Sequence, residues 1–249
     1  MHPERQSQAR VVTAQRPTHV WHVDLTTVPT PMGFWCSWLP FAVPQCWPWC
    51  WWLGLVLDHY SRRIMGVAIF GNAPASVEIQ SLLGRAIHAA GTAPKYLISD
   101  KGSQFWPTRG YKKWCRAHGI KPQFGPIGKH GSIAIMERAI RSLKESARRI
   151  AVPFRRQTMR RALDTIVGWY NAYRPNSGLL GRTPDEVYFG RFPAHRRPRI
   201  EPRPNWPRAS PCAKPTALVA GKPGTRFDIE VERLGGCMQL PIIRLRRAA

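Results

Sequence analysis

Acidic residues are scarce in this sequence: Asp and Glu together number 14, against 38 Lys and Arg among 249 residues. The net charge is +24 and the isoelectric point is about 11.1. Because such a surplus of positive charge repels itself unless a polyanion neutralises it, nucleic acid is the expected partner. A basic protein that adsorbs to ribosomes or membranes is the alternative. Hydrophobic residues make up 43% of the sequence, which is enough for a packed core and excludes wholesale disorder.

Cysteine-based sites and targeting signals are also missing from the sequence pattern. None of the six cysteines forms a C-x-x-C pair and no paired histidines accompany them, so neither a zinc site nor a disulfide framework is expected. Residues 1–10 contain no apolar core and do not resemble a secretory signal. We therefore expect a cytoplasmic protein without a membrane partner.

Charged residues are absent from Leu25 to Leu57, a stretch long enough to suggest a transmembrane helix. Five prolines interrupt this stretch and would break such a helix, so we expect no membrane span. We predict instead a Trp-rich insertion, residues 29–50, within a hairpin connection. Packing is the ordinary role for tryptophans in this region, and stacking on bases or on a partner subunit is the alternative.

The order of apolar runs and helical periods predicts an α/β protein. Three strands in a meander precede alternating helices and strands, which indicates a mixed five-stranded sheet with helices on both faces. A Pro- and Arg-rich stretch and a final pair of alternating segments predict a linker and a small β-hairpin or barrel-like appendage. The predicted divisions are a basic N-terminal arm (1–17), the α/β core (18–152), a helical extension (153–190), the linker (191–215) and the C-terminal β region (216–249).

Three carboxylates stand out, because a basic nucleic-acid binder has an electrostatic reason to exclude acidic residues. Asp24 lies inside the apolar run 20–25, Asp100 follows the apolar run 96–98, and Glu137 lies on an amphipathic helix. A carboxylate in an apolar segment is costly unless a cation or hydrogen bonds offset its charge. Adjacent strands would bring the two Asp residues together, and the helix would close the site. Mg²⁺ prefers such oxygen ligands, and two ions about 4 Å apart can clamp the oxygens of an in-line displacement at phosphorus.

Basic residues accompany the predicted site, and we take four of them as candidate contacts to DNA phosphates: Lys129, Arg141, Lys144 and Arg148. The last three follow Glu137 at helical spacing, so a solvated helix face is the alternative interpretation. Lys129 lies in the glycine-rich segment 125–131, which we predict to be a mobile loop over the site. Asp58 stands at a turn, and we expect its side chain to bond nearby backbone N–H groups rather than a metal ion.

The sequence resembles the DDE transposases of bacterial insertion sequences, which share a ribonuclease-H-like integrase core with retroviral integrases. Six stretches in order carry the resemblance: W-H-V-D-L-T (21–26), L-D-H-Y-S-R-R-I-M-G (57–66), S-D-K-G-S-Q-F (99–105), G-K-H-G-S-I-A-I-M-E-R (128–138), W-Y-N-A-Y-R-P (169–175) and G-R-T-P-D-E-V-Y-F-G (181–190). The resemblance implies that Asp24, Asp100 and Glu137 form the catalytic, metal-binding triad. It also implies that Arg141 and Lys144 approach DNA phosphates.

The resemblance further implies a DNA strand-transferase that uses two Mg²⁺ ions, or Mn²⁺, to cleave and join DNA ends in integration and recombination. Its partners would be transposon ends and target DNA, bound by a homo-oligomer in the bacterial nucleoid. Full-length relatives carry an N-terminal helix-turn-helix domain, whereas only residues 1–17 precede the core here, so a separately encoded helix-turn-helix subunit is a candidate partner. The alternatives are a truncated, non-catalytic DNA-binding remnant or regulator, and a ribonuclease or repair nuclease on the same core.

Overall fold

The computed structural model describes residues 13–36, 44–100, 109–124, 131–148, 152–191 and 227–247. The chain divides into two compact units, Met1–Leu163 and Asp164–Ala249. The first unit contains a five-stranded sheet and the second a two-stranded sheet. The finer boundaries of arm, core, extension and linker stay predictions.

The sheet of the first unit is mixed, with the strand order β3-β2-β1-β4-β5. Its strands are β1 (Val20–Pro29), β2 (Cys50–Asp58), β3 (Ile64–Phe70), β4 (Tyr96–Ser99) and β5 (Lys121–Phe124). The first three strands pair antiparallel in chain order, whereas β4 joins β1, and β5 joins β4, in parallel. Parallel neighbours need a crossover connection, which helices supply here. The predicted mixed five-stranded sheet is therefore confirmed.

Six α-helices are present among the described residues: α1 (Pro31–Cys36), α2 (Ser76–Ala90), α3 (Arg109–Ala117), α4 (Gly131–Arg148), α5 (Arg156–Ala172) and α6 (Pro184–Tyr188). Gly91 ends α2 with φ +71°, a left-handed conformation that glycine adopts without steric cost. At the start of α6 the Thr183 hydroxyl accepts from the Glu186 N–H, and the Glu186 carboxylate accepts from the Thr183 N–H. This reciprocal cap satisfies two backbone N–H groups at the helix start.

Helix α2 lies against β2 and β3 of the sheet. Its buried residues are Ile79, Leu82, Leu83 and Ala86. Glycines in both strands permit the close approach, since a Cβ added at Gly54 would lie 2.9 Å from Leu82 Cδ2 and one at Gly66 would lie 3.2 Å from Ala86 Cβ. A side chain at either glycine would therefore force the neighbouring side chains or the helix to move.

The Trp-rich insertion contains a short helix that the sequence did not predict. The Thr30 hydroxyl accepts from the Gly33 N–H at 3.3 Å, and Pro31 occupies the first turn of α1. Proline fits there because the first helical N–H groups need no partner within the helix. Pro31 therefore begins a helix at this position. Among the helices that the structure describes, none combines the length and the hydropathy of a membrane span.

Two tryptophans, one in the insertion and one in β2, hydrogen-bond to the connection between α4 and α5. Trp51 is buried in β2, and its indole N–H donates to the Pro153 carbonyl at 2.8 Å. Trp47, whose ring is half exposed, donates to the Phe154 carbonyl at 3.3 Å. Both rings thus use the polar atom of the indole for a bond to the chain's own backbone.

Asp58 closes the turn between β2 and β3. Its fully buried carboxylate accepts from the Thr18 N–H at 2.7 Å, from the Ser61 N–H at 2.8 Å and from the Ser61 hydroxyl at 2.6 Å. Burial raises the pKa of the Asp58 carboxyl, and these donors oppose the rise. The predicted structural role of Asp58 at this turn is confirmed.

The second unit contains the larger part of α5, helix α6 and a hairpin. Its strands β6 (Phe227–Arg233) and β7 (Pro241–Arg247) pair antiparallel across a turn that includes Gly235 and Gly236, both with positive φ. The Trp169 indole of α5 donates to the Pro241 carbonyl at 2.9 Å and so ties the hairpin to that helix. The predicted C-terminal hairpin is confirmed, whereas the predicted linker lies outside the described residues except for Arg191.

We expect Asp58→Ala to lower the free energy of unfolding by about 3 kcal/mol, because three buried donors lose their acceptor. Denaturant unfolding followed by circular dichroism measures the change. The exposed carboxylate Glu145 provides the control, since Glu145→Ala should change stability by less than about 0.5 kcal/mol. Equal effects of the two substitutions would contradict the role given to Asp58.

Trp51→Phe should lower the free energy of unfolding by at least about 1–2 kcal/mol, since the Pro153 carbonyl loses its donor and the smaller phenyl ring leaves part of a buried site unfilled. Trp52→Phe makes the same chemical change where the indole N–H donates to the exposed Gln45 carbonyl, which water can reach. The control should therefore cost less than about 0.5 kcal/mol. The same denaturant titration measures both, and a larger loss for the control would refute the anchoring role of Trp51.

Candidate active site

Strand pairing brings the segments that carry Asp24 and Asp100 together. β1 and β4 run parallel, and the last paired positions in their register are His22 and Ile98. Each carboxylate stands two residues further along, Asp24 within β1 and Asp100 directly after β4. The adjacency of the two strands, which the sequence pattern only suggested, is thus observed.

Helix α4 lies against β1 and carries Glu137 in its second turn. Its buried residues include Met136, Ala139, Leu143 and Ala147. Glu137 and Arg141 lie outside that buried face and are exposed, whereas Lys144 is half-buried. The apolar side of the helix therefore holds it on the unit, and its polar side carries the charged residues of the candidate site.

The electrostatics of the site centre on Asp24, which is half-buried. The pKa of its carboxyl is raised to about 6, mainly by burial, and the Leu25 N–H opposes this rise by donating to Oδ1 at 2.7 Å. The charges of Asp100 and Glu137 contribute to the rise, whereas the charge of Lys144 opposes it. The charges of Asp100, Glu137 and Lys144 therefore all affect the pKa of Asp24.

The three carboxylates do not form a closed ligand set as they stand. Within the described part of the chain, no three His, Cys, Asp or Glu side chains are grouped so that they could hold one metal ion. Asp100 and Glu137 are exposed, whereas Asp24 is half-buried. Asp100 and Glu137 still affect the pKa of Asp24, because Coulomb interactions extend well beyond the distance between the ligands of one ion. The structure thus places the predicted acids in one region without joining them at a common centre.

The structure describes the side chains of two of the four residues predicted to contact DNA. Arg141 and Lys144 follow Glu137 along the polar side of α4, as the helical spacing predicts. Arg148 is the last residue of α4, and its side chain lies outside the described residues, as does all of Lys129. Their contact with DNA stays a prediction.

A histidine pair next to the site was missed in the sequence. His22 Nε2 lies 2.7 Å from His59 Nδ1, and the two rings stack with centroids 5.0 Å apart. Burial, followed by the charges of His59 and Arg62, lowers the pKa of His22 to about 3, and burial together with the charge of Arg62 lowers the pKa of His59 to about 4. Both rings are therefore neutral at pH 7, one donating to the other. His22 precedes Asp24 by two residues, so both side chains point to the same face of β1.

The comparison with known families identifies the class of the first unit. Residues 14–130 match the integrase core domain. The five-stranded sheet and its helices have the ribonuclease-H-like arrangement of solved integrase cores, so this part of the chain has the integrase-core fold. No curated protein matches the sequence. The narrower prediction, a transposase of a bacterial insertion sequence, stays a prediction.

Solved structures share this fold. The catalytic core domain of HTLV-2 integrase in complex with magnesium, in its dimeric form, matches with a TM-score of 0.51 and 17% identity over 70% of this chain and 97% of that chain. Its trimeric form matches with a TM-score of 0.53 and 16% identity over 71% and 99%. A chain of the simian T-cell lymphotropic virus intasome, in complex with PP2A regulatory subunit B56 gamma, matches with a TM-score of 0.56 and 16% identity over 99% and 74%. At these identities the likeness shows the fold alone.

The pKa of Asp24 predicts a pH dependence of stability for the metal-free protein. Because the folded pKa of about 6 lies above the ordinary 3.8, the folded protein holds the proton more tightly than the unfolded chain does. The resulting stabilisation is fully present below pH 3.8 and is lost as the pH rises through about 6. Denaturant unfolding of the protein and of Asp24→Asn, between about pH 4 and 8, measures this contribution. The difference between their free energies of unfolding should change up to about pH 6 and then stay constant, and a difference independent of pH would contradict the assignment.

Proposed function

We propose that the chain cleaves and joins DNA ends as a metal-dependent strand-transferase of the integrase and transposase type. The observation that carries the proposal is the state of Asp24, whose carboxyl pKa is raised by burial and by the charges of Asp100 and Glu137. Neighbouring carboxylates repel one another, and this repulsion is unusual in a protein of net charge +24. A bound dication would offset it. The integrase core domain supports the same conclusion.

The donor set fits magnesium or manganese. Asp24, Asp100 and Glu137 offer hard carboxylate oxygens, which Mg²⁺ prefers, and we assign two ions to them. These residues would hold the ions, and the ions would supply Lewis-acid stabilisation of the attacking and leaving oxygens in an in-line displacement at phosphorus. The magnesium complex of the HTLV-2 integrase core, which has the same fold, supports this choice of ion.

The residues of the proposed site have different roles in holding the ions. Asp24 is held by the backbone of β1 and by the Leu25 N–H, so it is the fixed ligand. Asp100 and Glu137 are exposed, and exposed side chains change rotamer within nanoseconds, so both can turn toward Asp24 when a cation neutralises their repulsion. Lys144 keeps a positive charge near Asp24 and favours its ionised form.

DNA is the proposed substrate. Arg141 and Lys144 lie beyond Glu137 on the same helix, where their charges can meet phosphates next to the reacting bond. We add Lys129 and Arg148 to these contacts from the sequence. Joining ends to target DNA requires more than one copy of the protein, and the dimeric and trimeric HTLV-2 cores and the viral intasome support an oligomer on DNA. The partnership with a helix-turn-helix subunit remains a proposal from the sequence resemblance.

The second candidate is a non-catalytic DNA-binding protein on the same core. The observation that favours it is that the described carboxylates do not form a closed ligand set. Such a protein would keep the basic surface and bind DNA without breaking strands. It would act by occupying the sites of an active enzyme.

Asp100→Asn should reduce Mg²⁺-dependent nicking or strand transfer by about 10²–10³-fold, because a neutral amide is a weaker ligand for the ion. Salt-sensitive binding to duplex DNA should stay nearly unchanged, since the basic residues are untouched. A gel assay of labelled DNA ends with Mg²⁺ or Mn²⁺, alongside fluorescence anisotropy, separates the two activities.

Glu145→Gln is the matched control, since it neutralises an exposed carboxylate on the same helix and should keep full activity. Equal activity of Asp100→Asn and the unmodified protein would remove the catalytic assignment. DNA binding without strand breakage by the unmodified protein, with either ion and with its partner subunit supplied, would establish the second candidate instead.

A further inference from the structure

The turn between β2 and β3 contacts the strand that carries Asp24 through both backbone and side chain. The His59 N–H donates to the Val20 carbonyl at 2.9 Å. The His59 ring extends this contact further along β1, since its Nδ1 lies 2.7 Å from His22 Nε2 and the two rings stack. Of these contacts between the turn and β1, the one at His22 is the nearest to Asp24 in the sequence, two residues away.

The turn is closed by hydrogen bonds of its own. The Arg62 N–H donates to the Asp58 carbonyl at 2.9 Å, and the Asp58 N–H donates to the Arg63 carbonyl at 2.8 Å. The Arg62 side chain donates from Nη1 to the His59 carbonyl. Arg62 has a φ of +63°, which residues other than glycine rarely adopt, and these bonds maintain that conformation. His59 therefore has a fixed position at the end of the sheet.

The histidine pair and Asp24 lie on one face of the sheet. In the pairing of β1 with β2, His22 is opposite Leu57 and Asp24 is opposite Leu55. Opposite residues of an antiparallel pair share a face, and every second residue returns to it, so His59 is the diagonal neighbour of His22. The His22 side chain, which is 4% exposed, therefore lies along this face between the turn and Asp24.

Strand β1 has fewer paired neighbours at Asp24 than at His22. Among the described residues, β1 pairs with β4 as far as His22, whereas its pairing with β2 continues to Pro29. Asp24 thus lies just beyond the point where the ladder on one side of β1 ends. Contacts that hold the strand at this point help to determine where the Asp24 carboxylate lies, and the histidine pair is such a contact.

We propose that His59, acting through His22, is a positioning residue that fixes the Asp24 carboxylate for cation binding. The proposal rests on the proposed function, which makes Asp24 a metal ligand. Residues outside the ligand set affect metal affinity when they determine where a ligand lies. Because Asp100 and Glu137 are exposed and must be ordered by the ion, the fixed position of Asp24 contributes most to the affinity.

A metal ion held by the histidine pair itself is a less suitable interpretation. The two facing nitrogens, of His22 and His59, already share a hydrogen bond. In the part of the chain that the structure describes, no group of three His, Cys, Asp or Glu side chains could hold an ion. A pair with a structural role alone is the other alternative. Its removal would lower stability and leave the metal affinity of the folded protein unchanged, so metal affinity separates the two roles.

His59→Ala tests the proposal. Its affinity for Mn²⁺ should fall about tenfold, because the strand that carries Asp24 loses a contact next to the ligand. Isothermal titration calorimetry of the metal-free protein with Mn²⁺ measures the affinity, and Asp24→Asn identifies the heat that belongs to this site. His59→Leu removes the polar atoms while keeping most of the volume, and it provides the same test if the alanine variant does not fold.

Two further variants examine the hydrogen bond itself. His59→Asn keeps a polar atom at the position of Nδ1 and should bind Mn²⁺ within about threefold of the unmodified protein. The double variant His22→Ala/His59→Ala should lose no more affinity than His59→Ala, because residues that act as one unit have non-additive effects. A loss in His59→Asn as large as that in His59→Ala would contradict the role given to the bond.

Two control variants separate positioning from a general effect on the turn or on stability. Tyr60→Ala removes an exposed ring from the same turn, and Trp51→Phe removes a buried indole donor elsewhere on β2. Both should keep the Mn²⁺ affinity, and circular dichroism shows that each variant is folded during the titration. Equal affinities of His59→Ala and the unmodified protein would overturn the proposal. An equal loss in Tyr60→Ala would overturn it as well.

The inference and the proposed function can fail separately. Loss of Mn²⁺ affinity in Asp24→Asn without loss in His59→Ala or His59→Leu would remove the positioning role and keep the metal site. Unchanged Mn²⁺ affinity in Asp24→Asn would remove the metal site and this inference with it. The chemistry is tested independently, by strand transfer in Asp100→Asn.

Discussion

The parallel pairing of β1 with β4 is the constraint on which the candidate site depends. Its register, with His22 opposite Ile98, sets Asp24 and Asp100 the same distance along neighbouring strands. A slip of one residue would turn the Asp24 side chain to the other face of the sheet, away from its present neighbours. Packing opposes such a slip, because Val20, Trp21 and Val23 of β1 are almost completely buried. The apolar residues of β1 therefore fix where its carboxylate lies.

Two carboxylates in this sheet show the difference between an acid with a structural role and one for which we propose a catalytic role. Both have a pKa raised by burial, but Asp58 accepts from three donors of its own turn and neighbourhood. Asp24 accepts from the Leu25 N–H and is acted on by two further carboxylates. Hydrogen bonds thus satisfy the first acid within the fold, whereas the environment of the second favours a cation. Burial alone does not separate the two roles, and the identity of the neighbours does.

Local patterns predicted much of the fold, because they reflect interactions between residues close in sequence. The end of α2 at Gly91 and the cap of α6 at Thr183 follow from their own sequences. Helix α1 did not, since Pro31 can either break a helix or begin one, depending on where the helix starts. The pairing of His22 with His59 depends on tertiary packing, which no local pattern records. For the site, the sequence suggested the strand adjacency that brings the segments of Asp24 and Asp100 together and placed Glu137 on a helix, whereas the separation of the three carboxylates depends on side-chain rotamers.

The charge distribution couples DNA binding to cation binding under the proposed function. A basic surface draws a phosphodiester toward α4, where Asp24, Asp100 and Glu137 repel it unless a dication lies between them. A phosphate at that position adds negative charge around the cation, so DNA should raise the affinity of the site for the ion. By linkage the ion must raise the affinity of the site for DNA by the same factor. An incompletely closed ligand set in the protein alone is then expected of a site that assembles on its substrate, because part of its ligand field comes from the DNA.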